Sequence, residues 1–163
     1  MEKFRCMVHP AKFSISLGTF LLLLILGISQ TAIGHTAAGL VLVILCIPFF
    51  LIQMLYGSVV RFSDEKIIQS YLGISIRQVN WSDILEVGVI GTRIFNKKHP
   101  EKTGSVYIYF SRETLTDEQR FKMSLEWPPL HKIFICYTEK HFEQIQMIWS
   151  KNVPSFNIGR LSL

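Results

Sequence analysis

Between Lys12 and Arg61 the chain carries no Asp, Glu, Lys or Arg; all 12 acidic and all 17 basic residues lie outside that interval. His35 is the one residue inside it that titrates near neutrality. A soluble domain needs a wet face on its helices and strands, so charge withheld for this long points to a lipid surrounding. Two apolar stretches fill the interval, residues 13–33 and 37–56. At ~1.5 Å rise per residue, about 20 helical residues cover the ~30 Å hydrocarbon core, so each stretch is long enough to span. Unpaired backbone amides are so costly in hydrocarbon that Val41, Val43, Ile44 and Ile47, strand formers in water, are expected to be helical here. Gln30, Gly34 and His35 suit a tight polar turn between the two spans. Ser14, Gly18, Gly34 and Ala38 are small enough to permit close helix approach, and a lipid-facing position is equally open to each. Pro48 removes one hydrogen bond from the second helix and is expected to bend it.

Flanking charge sets the expected direction. Lys3, Arg5 and Lys12 precede the first span and Arg61 follows the second, whereas the turn has no basic residue. Basic residues stay on the cytoplasmic side, which places both termini there and makes the chain a multi-pass protein of the cell membrane. A cleavable signal peptide is the competing reading, since Ala32-Ile33-Gly34 has a small-x-small pattern. A second span so soon afterwards favours the return leg of a hairpin.

The expected organisation is a cytoplasmic N-terminal segment (1–12), a two-helix hairpin (13–56), a soluble domain (57–152) and a tail (153–163). In the soluble part, residues 59–62, 67–72 and 74–79 read as strands, the last two broken by Gly73. Trp81-Ser82-Asp83-Ile84 reads as a corner, and residues 85–94 resume strand character. Residues 105–111 alternate, with Val106, Ile108 and Phe110 on one face and Tyr107 and Tyr109 on the other. Residues 115–124 are a short helix candidate, with Thr116 and Gln119 spaced as a capping box. Trp127-Pro128-Pro129 must be extended. Residues 133–137 form a further strand, and Thr138 caps a helix over 139–151 whose apolar face is Phe142, Ile145, Ile148 and Trp149. The fold class is therefore a membrane α-helical hairpin plus an α+β domain, mainly antiparallel β, closed by a C-terminal helix.

Chemistry is sparse. The basic loop at 96–104 gives the candidate anionic-surface contacts Arg93, Lys97, Lys98 and Lys102, each Lys or Arg adding about 1 kcal/mol near an anionic leaflet. The formal charge of +5 suits such a surface. Cys6 and His9 have ligand-like spacing, but two further ligands would be required, and a mobile N-terminal segment is the plainer reading. The odd count of Cys6, Cys46 and Cys136 forms no disulfide framework and suits a reducing compartment. Asp83 and Glu86 can be imagined as an acid/base pair, yet no nucleophile, metal or phosphate-cradling loop accompanies them. We therefore expect no catalytic residues, no cofactor and no metal. Nucleic-acid binding is not expected either, because the basic residues are dispersed.

The segments IIQSYLGISI, VNWSDILEV and KIFICYTEKHFEQIQMIW resemble bacterial pleckstrin-homology-like (PH-like) domains that follow a pair of membrane helices, as in YcxB-like proteins. The resemblance covers residues 57–151. It implies a PH-like barrel acting as a binding scaffold, with membrane lipids and another membrane or cytoplasmic protein as partners. In phosphoinositide-binding members the first hairpin loop is basic; here Ser63-Asp64-Glu65-Lys66 has no net charge, which departs from inositol phosphate recognition. The expected function is a non-enzymatic membrane-tethered interaction module; the alternative is an accessory subunit of a membrane transporter or secretion complex.

Overall fold

The computed structural model describes residues 2–93, 103–126 and 131–157. Their elements run, in order, β1 (Glu2–Met7), α1 (Pro10–Ala32), α2 (Thr36–Tyr56), β2 (Val59–Ser63), β3 (Lys66–Tyr71), β4 (Ile74–Asn80), a single 3-10 turn at Trp81–Asp83, β5 (Glu86–Arg93), β6 (Thr103–Ser111), α3 (Asp117–Leu125), β7 (Ile133–Cys136), α4 (Glu139–Gln146) and β8 (Ser155–Phe156). In chain order, two apolar helices are followed by antiparallel-rich sheets and further helices, an α+β mix. One sheet has the strand order β1-β2-β3-β4 and the other β7-β6-β5-β8. Compactness divides the chain into two units: Met7–Val59 with Ser70–Ser75, and the remainder.

Within the first unit, α1 and α2 are joined by a three-residue turn in which Gly34 takes a φ of 94°. Only 11% of the first helix's most apolar window and 17% of the second's is buried. A core helix of a soluble protein would be mostly covered, so these helices are long and apolar enough to cross a membrane and present the surface that crossing requires. α2 continues through Pro48 to Tyr56.

The small residues that bring the helices together are not the four candidates. Ser14, Gly18 and Ala38 are exposed, nothing lies within 4 Å of a Cβ built on Gly18, and Gly34 sits in the turn. Gly27 and Gly39 make the approach instead: a Cβ on Gly27 would lie 3.1 Å from the Gly39 carbonyl oxygen, and one on Gly39 would lie 2.6 Å from the Gly27 carbonyl oxygen. On α2 the buried residues Gly39, Cys46 and Gln53 are spaced by seven, the seam of a left-handed crossing. Gln53 Nε2 donates to the Ser16 carbonyl at 3.4 Å, and Cys46 Sγ lies 3.8 Å from the Phe20 carbonyl.

In the second unit, an aromatic cluster fills the space between the sheets. Phe4 stacks on Phe62 at 4.3 Å, and Phe62, Trp81 and Phe110 lie within 6.3 Å of one another by ring centroid. Trp81 Nε1 donates to the Ser63 carbonyl at 2.8 Å, which satisfies the indole's one polar atom. The N-terminal segment, expected to be mobile, supplies an edge strand to the first sheet. Its alternation is weak to read because Lys3, Arg5 and Met7 flank Phe4 and Cys6. α4 ends at Gln146, earlier than expected, although Thr138 caps it and Ile145 and Trp149 are buried as expected. The tail adds a strand too: β8 pairs with β5 in parallel, and Asn157 Nδ2 donates to the Gly91 carbonyl at 2.9 Å.

The turn between β3 and β4 has two residues, Leu72 and Gly73, with φ of 48° and 84°. That pattern favours Asn-Gly; a leucine there costs about 1 kcal/mol of backbone strain.

Two substitutions check the hairpin seam. Gly39→Leu should splay α1 from α2 and lower the thermal midpoint in detergent, while Gly18→Leu should leave it unchanged. Gln53→Leu should cost about 1 kcal/mol, the upper range for a polar contact between membrane helices.

Candidate functional site

Burial marks two places where charged side chains gather. The first lies on the face of the second sheet that α3 covers. Gly88 opposes Tyr109 in the β5–β6 register, and a Cβ on Gly88 would collide with the Tyr109 ring and hydroxyl. The missing side chain lets Tyr109 lie across β5 and donate from its hydroxyl to Glu86 Oε1 at 2.5 Å. Glu86 Oε2 accepts from Arg120 Nη2 at 2.9 Å and from the Leu115 backbone N–H at 3.0 Å. Arg120 Nη1 reaches Asp117 Oδ1 at 2.8 Å. Glu86 is 6% exposed and Tyr109 fully buried. Burial, then the hydrogen bond to Glu86, pushes the Tyr109 hydroxyl far above its ordinary pKa. Burial opposes the charge of Arg120, but its bonds to Tyr109 and Glu86 prevail and hold it protonated.

This cluster is a clamp. Both carboxylate oxygens of Glu86 accept hydrogen bonds, and the carboxylate is charge-matched by Arg120, so its interactions are those of a structural ion pair. It explains why both faces of β6 are buried: Ile108 and Phe110 face the aromatic cluster, while Tyr107 and Tyr109 lie on the other face, which α3 covers at Tyr109. Asp83, the imagined partner of Glu86, is exposed and instead accepts from Ser82 and Asn80 at 3.2 and 3.3 Å.

The second place is an open cleft of about 530 Å³ lined by β4, the end of β6 and the start of β7. β4 and β7 are each the last strand of their sheet, so the cleft lies where both ladders stop. Arg77 Nη1 donates to the Lys132 carbonyl at 3.0 Å and Arg112 Nη2 to the Gln78 carbonyl at 3.2 Å, so each arginine ties the two walls together. Lys132 Nζ donates to Ser111 Oγ at 3.1 Å and pairs with Glu113 at 3.0 Å. His131 lies exposed on the rim. Arg77, Arg112 and Lys132 thus face one carboxylate, Glu113. Each guanidinium retains N–H donors with no partner among the described residues. The sequence reading missed this cleft because its cations are about 20 residues or more apart and only the opposition of β4 and β7 assembles them.

Of the expected anionic-surface contacts, Lys97, Lys98 and Lys102 lie outside the described residues, as do Trp127, Pro128 and Pro129. Arg93 ends β5 with its guanidinium carbon 5.2 Å from the Phe121 ring centroid. That is a cation–π contact with α3, made by an arginine that remains exposed.

Cys6 and His9 have separate roles. Cys6 is 9% exposed and its thiol is pushed up to about 12 by burial and then by nearby Cys136, so it stays protonated. His9 is the N-cap of α1, its Nδ1 accepting from the Lys12 N–H at 3.5 Å. Burial first, and then the Lys12 charge, lower its pKa below the ordinary value. Cys136 is half-buried, and His141 Nδ1 lies 3.1 Å from its carbonyl. Among the described residues no group of three His, Cys, Asp or Glu side chains converges as a metal site would require.

Comparison with family models, with curated proteins and with solved structures finds no match to this chain.

Two measurements follow from these environments. Arg120→Ala leaves a buried carboxylate without its counter-charge and should cost about 3 kcal/mol, near the low end for a broken buried pair because Tyr109 and the Leu115 N–H remain; chemical denaturation of the full chain reads it. For His9, a lowered folded pKa means that the unfolded chain takes up the proton first. Stability is therefore complete above the ordinary value of about 6.5 and falls as pH drops below it. His9→Asn keeps the cap, so the variant's melting curves in detergent should depend less on pH between 7 and 5 than the parent's.

Proposed function

We propose that this chain is a non-enzymatic, membrane-anchored interaction module whose cytoplasmic domain is PH-like and binds an acidic, extended segment of a partner protein in the β4/β7 cleft. The cleft carries the reading: three cations and two strand edges converge on one concavity, while the Glu86–Arg120 cluster is engaged in structure. Among the described residues β4 and β7 end their sheets, and such edges offer backbone hydrogen bonds to an extended peptide, while the remaining arginine N–H groups offer donors to its carboxylates.

The strand succession supports the PH-like part. The antiparallel strands β2 to β7 and the helix α4 after β7 are the elements that the resemblance implies; β1 before the hairpin, α3 between β6 and β7, and β8 after α4 depart from it. The basic flanks of the hairpin support the cytoplasmic placement of the domain and of both termini. A specific observation also favours the alternative, an accessory subunit of a transporter or secretion assembly. α1 and α2 form a mostly apolar groove of about 210 Å³ with Ile15, Thr19, Phe49, Ile52 and Tyr56 in its walls and Lys12 at one end, wide enough to seat a neighbouring side chain. Dependence of its membrane stability on a second gene product would separate that role from an autonomous module.

The full chain in nanodiscs of neutral lipid should bind Glu-rich extended peptides in a salt-sensitive manner. The double variant Arg77→Ala, Arg112→Glu should weaken that binding at least tenfold, measured below the onset of its own melting, since loss of the two wall-to-wall hydrogen bonds should cost about 1–3 kcal/mol of stability. Binding that survives the double variant, or that appears only with anionic vesicles, would move the site elsewhere.

A further inference from the structure

We infer that the β3–β4 turn, Leu72-Gly73-Ile74, is a third membrane contact that embeds its apolar side chains in the headgroup–acyl boundary beside the ends of α1 and α2. The inference rests on the reading of α1 and α2 as membrane spans. Leu72 is 82% exposed and Ile74 73%, which makes the turn an apolar tip with no cover among the described residues. Sequence economy does not explain it. Leu72 occupies a left-handed backbone position where Asn would be at ease, and Gly73 beside it has open space around its Cα. A bulky apolar residue held in strain and in full exposure calls for a surface that rewards it.

Topology names that surface. β2 begins at Val59, immediately after α2 ends at Tyr56. The two-residue turn at Asp64-Glu65 sends β3 back, so Ser70 returns to the level of Val59, where its Oγ donates to the Val59 carbonyl at 3.4 Å. The chain then continues two residues further, about 7 Å at ~3.3 Å per residue, in the direction that leads from Val59 back towards Tyr56. The helix ends carry the marks of an interface. Lys12 Nζ lies 5.1 Å from the Tyr56 ring centroid, an amphipathic pair suited to the headgroup level. Ser70–Ser75 belongs to the same compact unit as both helices, so the tip extends the lipid-facing surface.

The full chain in phosphatidylcholine vesicles that contain an aryl-diazirine phosphatidylcholine, photolysed and mapped by mass spectrometry, tests this. Labels within Pro10–Ala32 and Thr36–Tyr56 report the spans. Labels at residues 71–76 report the tip and should exceed those at Asp64-Glu65, the turn at the opposite end of the same strands, at least fivefold. The double variant Leu72→Asn, Ile74→Ser relieves the strained position and should fold at least as well as the parent, keep the helix labels and lose the tip labels fivefold or more. Helix labels without tip labels would overturn the inference and leave the spans intact, as would tip labels that persist in the double variant. An absence of labels everywhere would overturn both.

Discussion

The junction where two strands become two helices is the constraint on which the rest of this structure depends. β1 runs into α1 and α2 runs into β2, and the backbone ladder continues up to the point of departure: the Val8 N–H donates to the Ser58 carbonyl at 2.9 Å and the His9 N–H to the Tyr56 carbonyl at 3.0 Å. Neighbouring strands are only about 4.8 Å apart, closer than the 8–10 Å between packed helices. The chain must open at this point, and small residues ease it. A Cβ on Gly57 would lie 2.8 Å from the Gln53 carbonyl oxygen and 2.5 Å from Phe13 Cδ2, so only glycine fits where α2 ends against Phe13. The His9 side chain caps α1 at the same level, where Pro10 supplies a first-turn residue that needs no amide partner.

Farther along, the second sheet poses a different problem. Its central strand β5 is covered on both faces, yet the chain places a glutamate at its start. Burial of a lone carboxylate would be prohibitive, and the solution is a helix that brings its own arginine. α3 is only nine residues long and mostly polar, too short to stand alone in water. Its capping box, formed reciprocally by Thr116 and Gln119, holds the first turn, and the Arg120–Glu86–Tyr109 bonds dock it. Helix and buried charge each depend on the other, which gives the segment between β6 and β7 a structural purpose independent of any ligand.

Much of this was legible in the residues. Strand after strand from β2 to β7 falls within a residue or two of where alternation and glycine breaks put it, because those signals are local. The capping box at Thr116 and the cap at Thr138 were legible for the same reason. β1 was not, since it lies across the hairpin from its partner β2 and its own pattern is short. β8 was missed because two residues carry no periodicity. The seam glycines of the hairpin, Gly27 and Gly39, were not singled out, and of the two positions open to Ser14, Gly18 and Ala38 the exposed one holds. Composition marks a residue as small but does not say which side of a uniformly apolar helix meets its neighbour, although the seven-residue spacing of Gly39, Cys46 and Gln53 held that signal.

What the sequence determined by itself is the presence of two apolar helices and the material around them: a stretch without charge cannot fold in water as a surface helix, and a two-residue alternation cannot bury one face as anything but a strand. What only the tertiary structure decided is which distant residues share a neighbourhood. Arg77, Arg112 and Lys132 converge because β4 and β7 are facing sheet ends; Glu86, Tyr109 and Arg120 meet because Gly88 lacks a side chain; and Leu72 stands at the helix end of its sheet because β3 reverses the path of β2. Local pattern depends on a few neighbouring residues, whereas these groupings depend on strand order, which arises only when the separate segments compete to bury the same apolar surface.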